Sequence, residues 1–190
     1  TEVIRGDDHI NNTPRQINIY EALGAPVPKF GHMPMILDEQ GAKLSKRGGA
    51  ADVRQYRDAG YLPHALLNYL VRLGWSHGDQ EVFTREEMIA AFDIAPVGKA
   101  ASAFNPEKLM WLNQQHITKA PRATLVAALR EQLATPGVTD ADDALCGGVV
   151  EALRERAKTM KEMASASLFF FRDPVMDEKA VAKHLTPEAK

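Results

Sequence analysis

A short parallel α/β segment followed by a long helical remainder is the fold class that this 190-residue sequence predicts. Three observations predict it. Residues 2–37 read as strand, loop, helix and strand. Residues 52–117 carry apolar residues at helical spacing, punctuated by turn signals. Residues 118–190 read as helical throughout, so the chain is predominantly α overall.

Val3-Ile4 reads as the first strand. Asn12-Thr13-Pro14 starts a helix through Ile17, Ile19, Tyr20 and Leu23, and Gly24 ends it. Pro28-Lys29-Phe30 leads to a second strand over 33–37. A βαβ unit of this kind makes its strands parallel, with a right-handed crossover. In such sheets ligands bind beyond the carboxyl ends of the strands. Arg5-Gly6-Asp7-Asp8-His9 and residues 43–47 therefore belong near one ligand edge. Further on, Asp52 caps a helix through Tyr56 that Gly60 ends. Leu62-Pro63 opens another, with Leu66, Leu67, Leu70 and Leu73 as its apolar stripe and Gly74 as its stop. Thr84-Arg85-Glu86-Glu87 is a capping box ahead of Met88, Ile89 and Phe92. Asn105-Pro106 starts one more helix, with Leu109, Met110 and Leu112. These stripes are expected to be core. The last helices are expected over 121–134, 140–156, 158–170 and 177–184.

Composition bounds the function. Hydrophobic residues make up 45% and charged residues 25%, an ordinary balance for a globular domain. No apolar run approaches the roughly 20 residues that span a bilayer, and no signal-peptide pattern is present. Cys146 is the only cysteine, which excludes an internal disulfide and suits a reducing compartment such as the cytoplasm. No histidine is near it in sequence, so a small buried residue is expected there rather than a nucleophile. The net charge of −2 argues against wholesale binding of nucleic acid. A local footprint is still available: residues 43–57 hold five cations against one carboxylate, Asp52. Arg154, Arg156, Lys158 and Lys161 could form another, although the interleaved Glu151, Glu155 and Glu162 suit a solvated face as well.

The strongest chemical signal is Lys43-Leu44-Ser45-Lys46-Arg47 followed by Gly48-Gly49. Three cations and a hydroxyl on a glycine-flanked loop beside a strand suit triphosphate chemistry. Negative charge grows on phosphate oxygens as the α-phosphorus is attacked, and cations aimed at those oxygens favour the transition state. Lys46 is the first candidate for a phosphate contact, with Lys43 and Arg47 supporting it and Ser45 donating a hydrogen bond. Arg5, after a strand, could grip a carboxylate with both guanidinium edges or pair with Asp7 or Asp8. Asp8 could equally cap its own loop. No Cys or His spacing matches a zinc site, so His9 and His32 are expected to pack or hydrogen-bond, with His32 near the nucleotide.

The pentad resembles the "KMSKS" signature of class I aminoacyl-tRNA synthetases, in the spelling of bacterial glutamyl-tRNA synthetases. The flanks resemble the same family: Arg5-Gly6-Asp7-Asp8-His9, Asn12-Thr13-Pro14-Arg15-Gln16, His32-Met33-Pro34-Met35-Ile36, Leu66-Leu67-Asn68-Tyr69-Leu70, Leu73-Gly74-Trp75-Ser76 and Phe104-Asn105-Pro106-Glu107-Lys108-Leu109. The likeness is close over residues 1–117 and looser beyond. It implies that residues 1–51 are the second half of a Rossmann-type catalytic domain, residues 52–117 a stem-contact domain, and residues 118–190 an incomplete helical anticodon-binding domain. It also implies that Lys43, Leu44, Ser45, Lys46 and Arg47 close over ATP, with Mg²⁺ on the phosphates. By the same resemblance Asp8, Met35 and Ile36 lie at the nucleotide, and Arg5 binds L-glutamate. The partners implied are glutamate and tRNA(Glu), for a monomer away from membranes.

The family's other signature, His-Ile-Gly-His, is not here: this chain has His9-Ile10-Asn11-Asn12. Together with a start at Thr1 and an end just after a helix-opening Thr186-Pro187, this leads us to expect a fragment that is inactive alone. Other readings differ in what they need. A glutaminyl-tRNA synthetase carries a β-barrel where helical stripes follow residue 118. A truncated paralogue that glutamylates a modified tRNA base lacks that helical domain. A non-catalytic RNA-binding module leaves Lys43, Ser45 and Lys46 without a nucleotide role.

Overall fold

The computed structural model describes residues 2–44, 52–173 and 179. Strand β1 (Glu2–Gly6) runs into a 3₁₀ turn (Asp7–Asn12) and helix α1 (Thr13–Ala22). Strand β2 (Lys29–Met33) returns parallel to β1, in register from Glu2 against Lys29 to Gly6 against Met33. The βαβ expectation holds, but the second strand lies four residues earlier than expected at its start and ends at Met33. Pro34 has no N–H to give a ladder, so pairing with β1 stops there. Ile36–Leu37 forms a separate strand, β3, parallel to β4 (Ser102–Ala103). Met35 falls between the two strands.

Helices α2 (Val53–Asp58), α3 (Pro63–Arg72), α4 (Arg85–Ala91) and α5 (Pro106–Lys119) form at the expected signals. Asp52 accepts from the Arg54 N–H, Asn105 from the Lys108 N–H, and Thr84 and Glu87 complete the capping box. The expected stripe of α3 needs correcting. Leu67 and Leu70 are exposed, whereas Leu62, Ala65, Leu66 and Tyr69 are buried. Those four stand at i, i+3, i+4 and i+7, the spacing of one helix face. Leu67 and Leu70 stand off that face. On α4 only Met88 is buried, and Ile89 and Phe92 are exposed.

Helices α6 (Arg122–Ala134), α7 (Asp143–Leu153) and α8 (Met160–Ser167) build a bundle, followed by a 3₁₀ turn (Leu168–Phe170). Asp142 and Thr159 cap α7 and α8, which makes both helices shorter than expected. The expected helix over 177–184 lies outside the described residues except for Lys179. The bundle core gathers Leu125, Leu129, Leu133, Val149, Val150 and Met163. It also takes in Leu62, Ala65 and Ile117, so the first turn of α3 and the last of α5 are rooted in it. A second core joins Leu66, Tyr69, Leu109 and Leu112, and a third joins Trp75, Phe83 and Met88. Cys146 is fully buried in the bundle, and burial pushes its thiol up.

Gly60 ties these parts together. Its φ of +83° is left-handed, and its carbonyl accepts from the Met160 N–H at 2.8 Å. A Cβ there would stand 2.3 Å from the Lys161 nitrogen, so only glycine lets α2 end against α8.

Candidate functional site

Two clusters stand at the carboxyl end of β1, the edge where parallel strands present ligands. The first is built on Arg5, the fourth residue of β1. Its guanidinium donates to Gln16 Oε1 and Thr13 Oγ1, both at 2.7 Å, and lies 5.1 Å from the centre of the Phe30 ring. Thr13 and Gln16 are i and i+3 on α1, hence on one face. Thr13 Oγ1 also meets His32 Nε2 at 2.9 Å, and His32 is the register partner of Arg5 on β2. Of the two sequence options for Arg5, the ion pair with Asp7 or Asp8 is not what forms. The guanidinium is oriented by neutral acceptors, and its buried Nε is left without a partner. With neutral acceptors on both of its terminal nitrogens, this guanidinium is oriented without being paired to a carboxylate and can meet an anion. A cleft of about 440 Å³ opens along Arg5, Gln16, Ile19, Tyr20 and Phe30.

The second cluster pairs Asp8 with Lys43. Gly6 ends β1, and the chain turns so tightly that a Cβ on Gly6 would stand 2.5 Å from Asp8 Oδ1. This aims the Asp8 carboxylate at Lys43, whose Nζ donates to Oδ2 at 2.6 Å. Lys43 arrives by a tight reversal after β3. The Asp38 carboxylate accepts from the N–H groups of Gln40 and Ala42, and Leu37 and Lys43 form an antiparallel bridge. The hydrogen bond from Lys43 holds the Asp8 carboxyl below the usual carboxylate range, opposed by partial burial. Both side chains stay substantially exposed, 37% for Asp8 and 55% for Lys43, so an incoming polyanion could compete for the ammonium.

The structure therefore brings together two of the residues expected at the nucleotide, 35 positions apart in sequence. Ile36 lies in β3 next to the same reversal, where its carbonyl accepts from the Leu44 N–H at 3.0 Å. Met35 precedes it outside any strand. Ser45, Lys46 and Arg47 lie outside the described residues. Sequence reasoning missed Thr13 and Gln16 as the groups that aim Arg5. Their i, i+3 spacing was visible, but only β1 packing beside α1 gives it meaning. The Asp7 carboxylate, one of the partners the sequence offered Arg5, makes no such pair: its Oδ1 is buried without a hydrogen-bond partner.

The basic residues suggested for a second footprint divide. Arg154 is structural. Its guanidinium donates to the carbonyls of Ile117, Thr118 and Ala120, closing the carboxyl end of α5, and lies 3.6 Å from Glu151. Arg156, Lys158 and Lys161 have exposed side chains or solvent-facing positions around the turn into α8. Among the described residues no group of three or more His, Cys, Asp or Glu is arranged to hold a metal ion.

Comparison with known proteins bears on all of this. Residues 1–111 match the family described as tRNA synthetases class I (E and Q), catalytic domain, and residues 112–190 match an anticodon binding domain. The chain is 61% identical over 186 residues to a glutamate–tRNA ligase of Xanthomonas euvesicatoria, covering 97% of this chain and 40% of the relative. It is 57% identical over 191 residues to glutamate–tRNA ligase 1 of Alkalilimnicola ehrlichii, covering 100% of this chain and 41% of the relative. It thus spans about two fifths of the length of the curated relatives it matches. Among solved structures, a glutamate tRNA ligase from Elizabethkingia meningosepticum in complex with its amino acid superposes with a TM-score of 0.75 at 33% identity. That match covers 99% of this chain and 41% of the other.

Proposed function

Because the chain belongs to the class I tRNA synthetases of the E and Q group, we propose that it carries part of the machinery of a glutamate–tRNA ligase. The observation that carries this reading is the order of the two family matches, catalytic and then anticodon-binding, over a chain about 60% identical to glutamate–tRNA ligases. In the proposed reaction the carboxylate of L-glutamate attacks the α-phosphorus of ATP. Pyrophosphate leaves, and the glutamyl-adenylate passes its acyl group to the 3′ end of tRNA(Glu). Such chemistry is positioning and electrostatics, with no covalent intermediate on the protein.

Arg5, held in place by Thr13 and Gln16, binds L-glutamate through the carboxylate that does not react, which leaves the α-carboxylate free to attack. Lys43, exposed beside Asp8, is the described member of the pentad that meets the phosphates, with Ser45, Lys46 and Arg47 assigned from sequence. Asp8 holds the Lys43 ammonium in place until the polyanion takes over from its carboxylate. Mg²⁺ arrives with the ATP phosphates. Residues 1–51, 52–117 and 118–190 act as the catalytic part, the stem-contact part and the helical anticodon-binding part. The assembly works as a cytoplasmic monomer, and the 190 residues alone form no adenylate.

The test is aminoacylation by the full-length protein, with glutamate and glutamine offered separately to purified glutamate and glutamine tRNAs. Transfer of glutamate supports the proposal. Transfer of glutamine alone assigns the protein to the sister enzyme. No transfer by a folded, ATP-binding protein refutes the catalytic reading, and glutamate-dependent adenylate formation by residues 1–190 alone refutes the division of labour.

A further inference from the structure

A buried amide lies at the seam between the bundle and the rest of the chain. Asn113 is 0% exposed, on α5 between Leu112 of the second core and Ile117 of the bundle core. Its Oδ1 accepts from the Leu62 N–H at 2.8 Å, and its Nδ2 donates to the Lys158 carbonyl at 2.6 Å. Three further hydrogen bonds cross the same seam: Met160 N–H to Gly60 O, Gln132 Nε2 to Arg57 O, and Gln114 Nε2 to Glu155 O. A cleft of about 280 Å³ beside Tyr56, Gly60, Ala128, Gln132 and Met160 leaves packing there incomplete. Apolar contact is non-directional, whereas a hydrogen bond has a preferred distance and angle. The amide, fully buried and bonded on both sides, is thus a group that holds one angle between the bundle and the 52–117 part that joins it to the catalytic part.

We propose that Asn113 is a positioning residue for the RNA, a role that rests on the ligase reading above. A tRNA engaged at once by the bundle and the catalytic part is a stiff body. An error of angle at the seam therefore grows with distance. A tilt of about 5° displaces a point roughly 20 Å away, the length of a 14-residue helix at 1.5 Å per residue, by about 2 Å. A misplacement of even about 1 Å at reacting atoms can cost on the order of a hundredfold in rate. Asn113 touches neither tRNA nor ATP in this account; it acts through the orientation it fixes.

The experiment uses the full-length protein with a dye pair at the exposed positions Asn18 and Asp140, in unmodified, Asn113→Ala and Gln132→Ala forms. The dyes report the distance between the two parts by single-molecule energy transfer. Aminoacylation is measured on whole tRNA and on a tRNA lacking its anticodon arm. In Asn113→Ala we expect a broadened distance distribution and a fall of about tenfold or more in kcat on whole tRNA. The armless substrate, which does not engage the bundle, is expected to keep its rate within about twofold. A merely structural role would lower both rates together, by loss of folded enzyme. Equal losses on both substrates, or a distribution as narrow as the unmodified protein's, overturn the proposal. Gln132 is only half-buried, so Gln132→Ala carries the same test should Asn113→Ala not fold. If the unmodified protein charges no tRNA, the ligase reading fails, and the distance distribution still decides whether Asn113 sets the angle.

Discussion

Replacing Gly60 by alanine should destabilise the chain far more than the same change at Gly24, and the difference can be worked from geometry. Both glycines have left-handed φ, +83° and +63°. Placing a Cβ in that region costs about 1–2 kcal/mol. The loss of chain entropy in the unfolded state returns about 0.4–1 kcal/mol. At Gly24 nothing lies within 4 Å of the added carbon, so the net cost should be at most about 1.5 kcal/mol. At Gly60 the new carbon meets the Lys161 nitrogen at 2.3 Å and the Met160 nitrogen at 3.0 Å. These are backbone atoms at the start of a helix and cannot rotate aside. The amino end of α8 must retreat. Its Met160 N–H then leaves the Gly60 carbonyl, a loss of about 0.5–1.5 kcal/mol. Met160, 1% exposed, also gives up part of its packing, which raises the total to about 2–4 kcal/mol. Urea unfolding followed by circular dichroism at helical wavelengths reads both variants against the parent, at unchanged slope. Equal shifts for Gly24→Ala and Gly60→Ala, within about 0.5 kcal/mol, would refute the claim that α2 ends against the backbone of α8.

Other outcomes follow from the same coordinates. The Asp8 carboxyl should titrate in NMR below the ordinary value of about 3.9, and Lys43→Ala should return it there, because the Lys43 hydrogen bond is the main cause of the shift. The pair is thus present above the ordinary value and is lost as pH falls through the lowered one. His116, half-buried with its Nε2 3.0 Å from Asn68 Oδ1, is pushed down by burial first and then by His64 and Lys119. A folded value below the unfolded one means that the unfolded chain takes the proton first. Stability contributed by neutral His116 is therefore full above about pH 6.5 and falls as pH drops towards the lowered value. Denaturation at pH 7.5 and 5.5 should show a smaller pH effect in His116→Gln than in the parent. Arg154→Met should cost about 2–4 kcal/mol, since it strips the charge-assisted donors from three carbonyls at a helix end while leaving the aliphatic packing; a loss under about 0.5 kcal/mol would mean that water replaces the guanidinium there.

Much of this protein was legible before any coordinates, and the legible parts are local. Capping by Asp52, Thr84 and Asn105 depends on a side chain reaching a backbone N–H two or three residues on. The pairing of β1 with β2 follows from a strand–helix–strand pattern whose handedness leaves one solution. The pentad is read from residue types alone, and its role stands as proposed above. Tertiary structure decided the rest. β3 pairs with β4, 66 residues away in register, and no local signal announces a two-residue ladder across that separation. Burial of Leu62 and Leu66 with exposure of Leu67 and Leu70 depends on which face α5 and the bundle cover, whereas an unbroken leucine-rich run permits several faces. Arg154 reads as a solvated cation until the open end of α5 is brought beside it. Sequence alone determined where most helices begin and offered the residues proposed for the chemistry, because short-range sterics and hydrogen bonding act within a few residues. Which apolar face is covered, and which neutral acceptors aim Arg5, was decided only when distant segments came into contact and burial chose among locally equivalent surfaces.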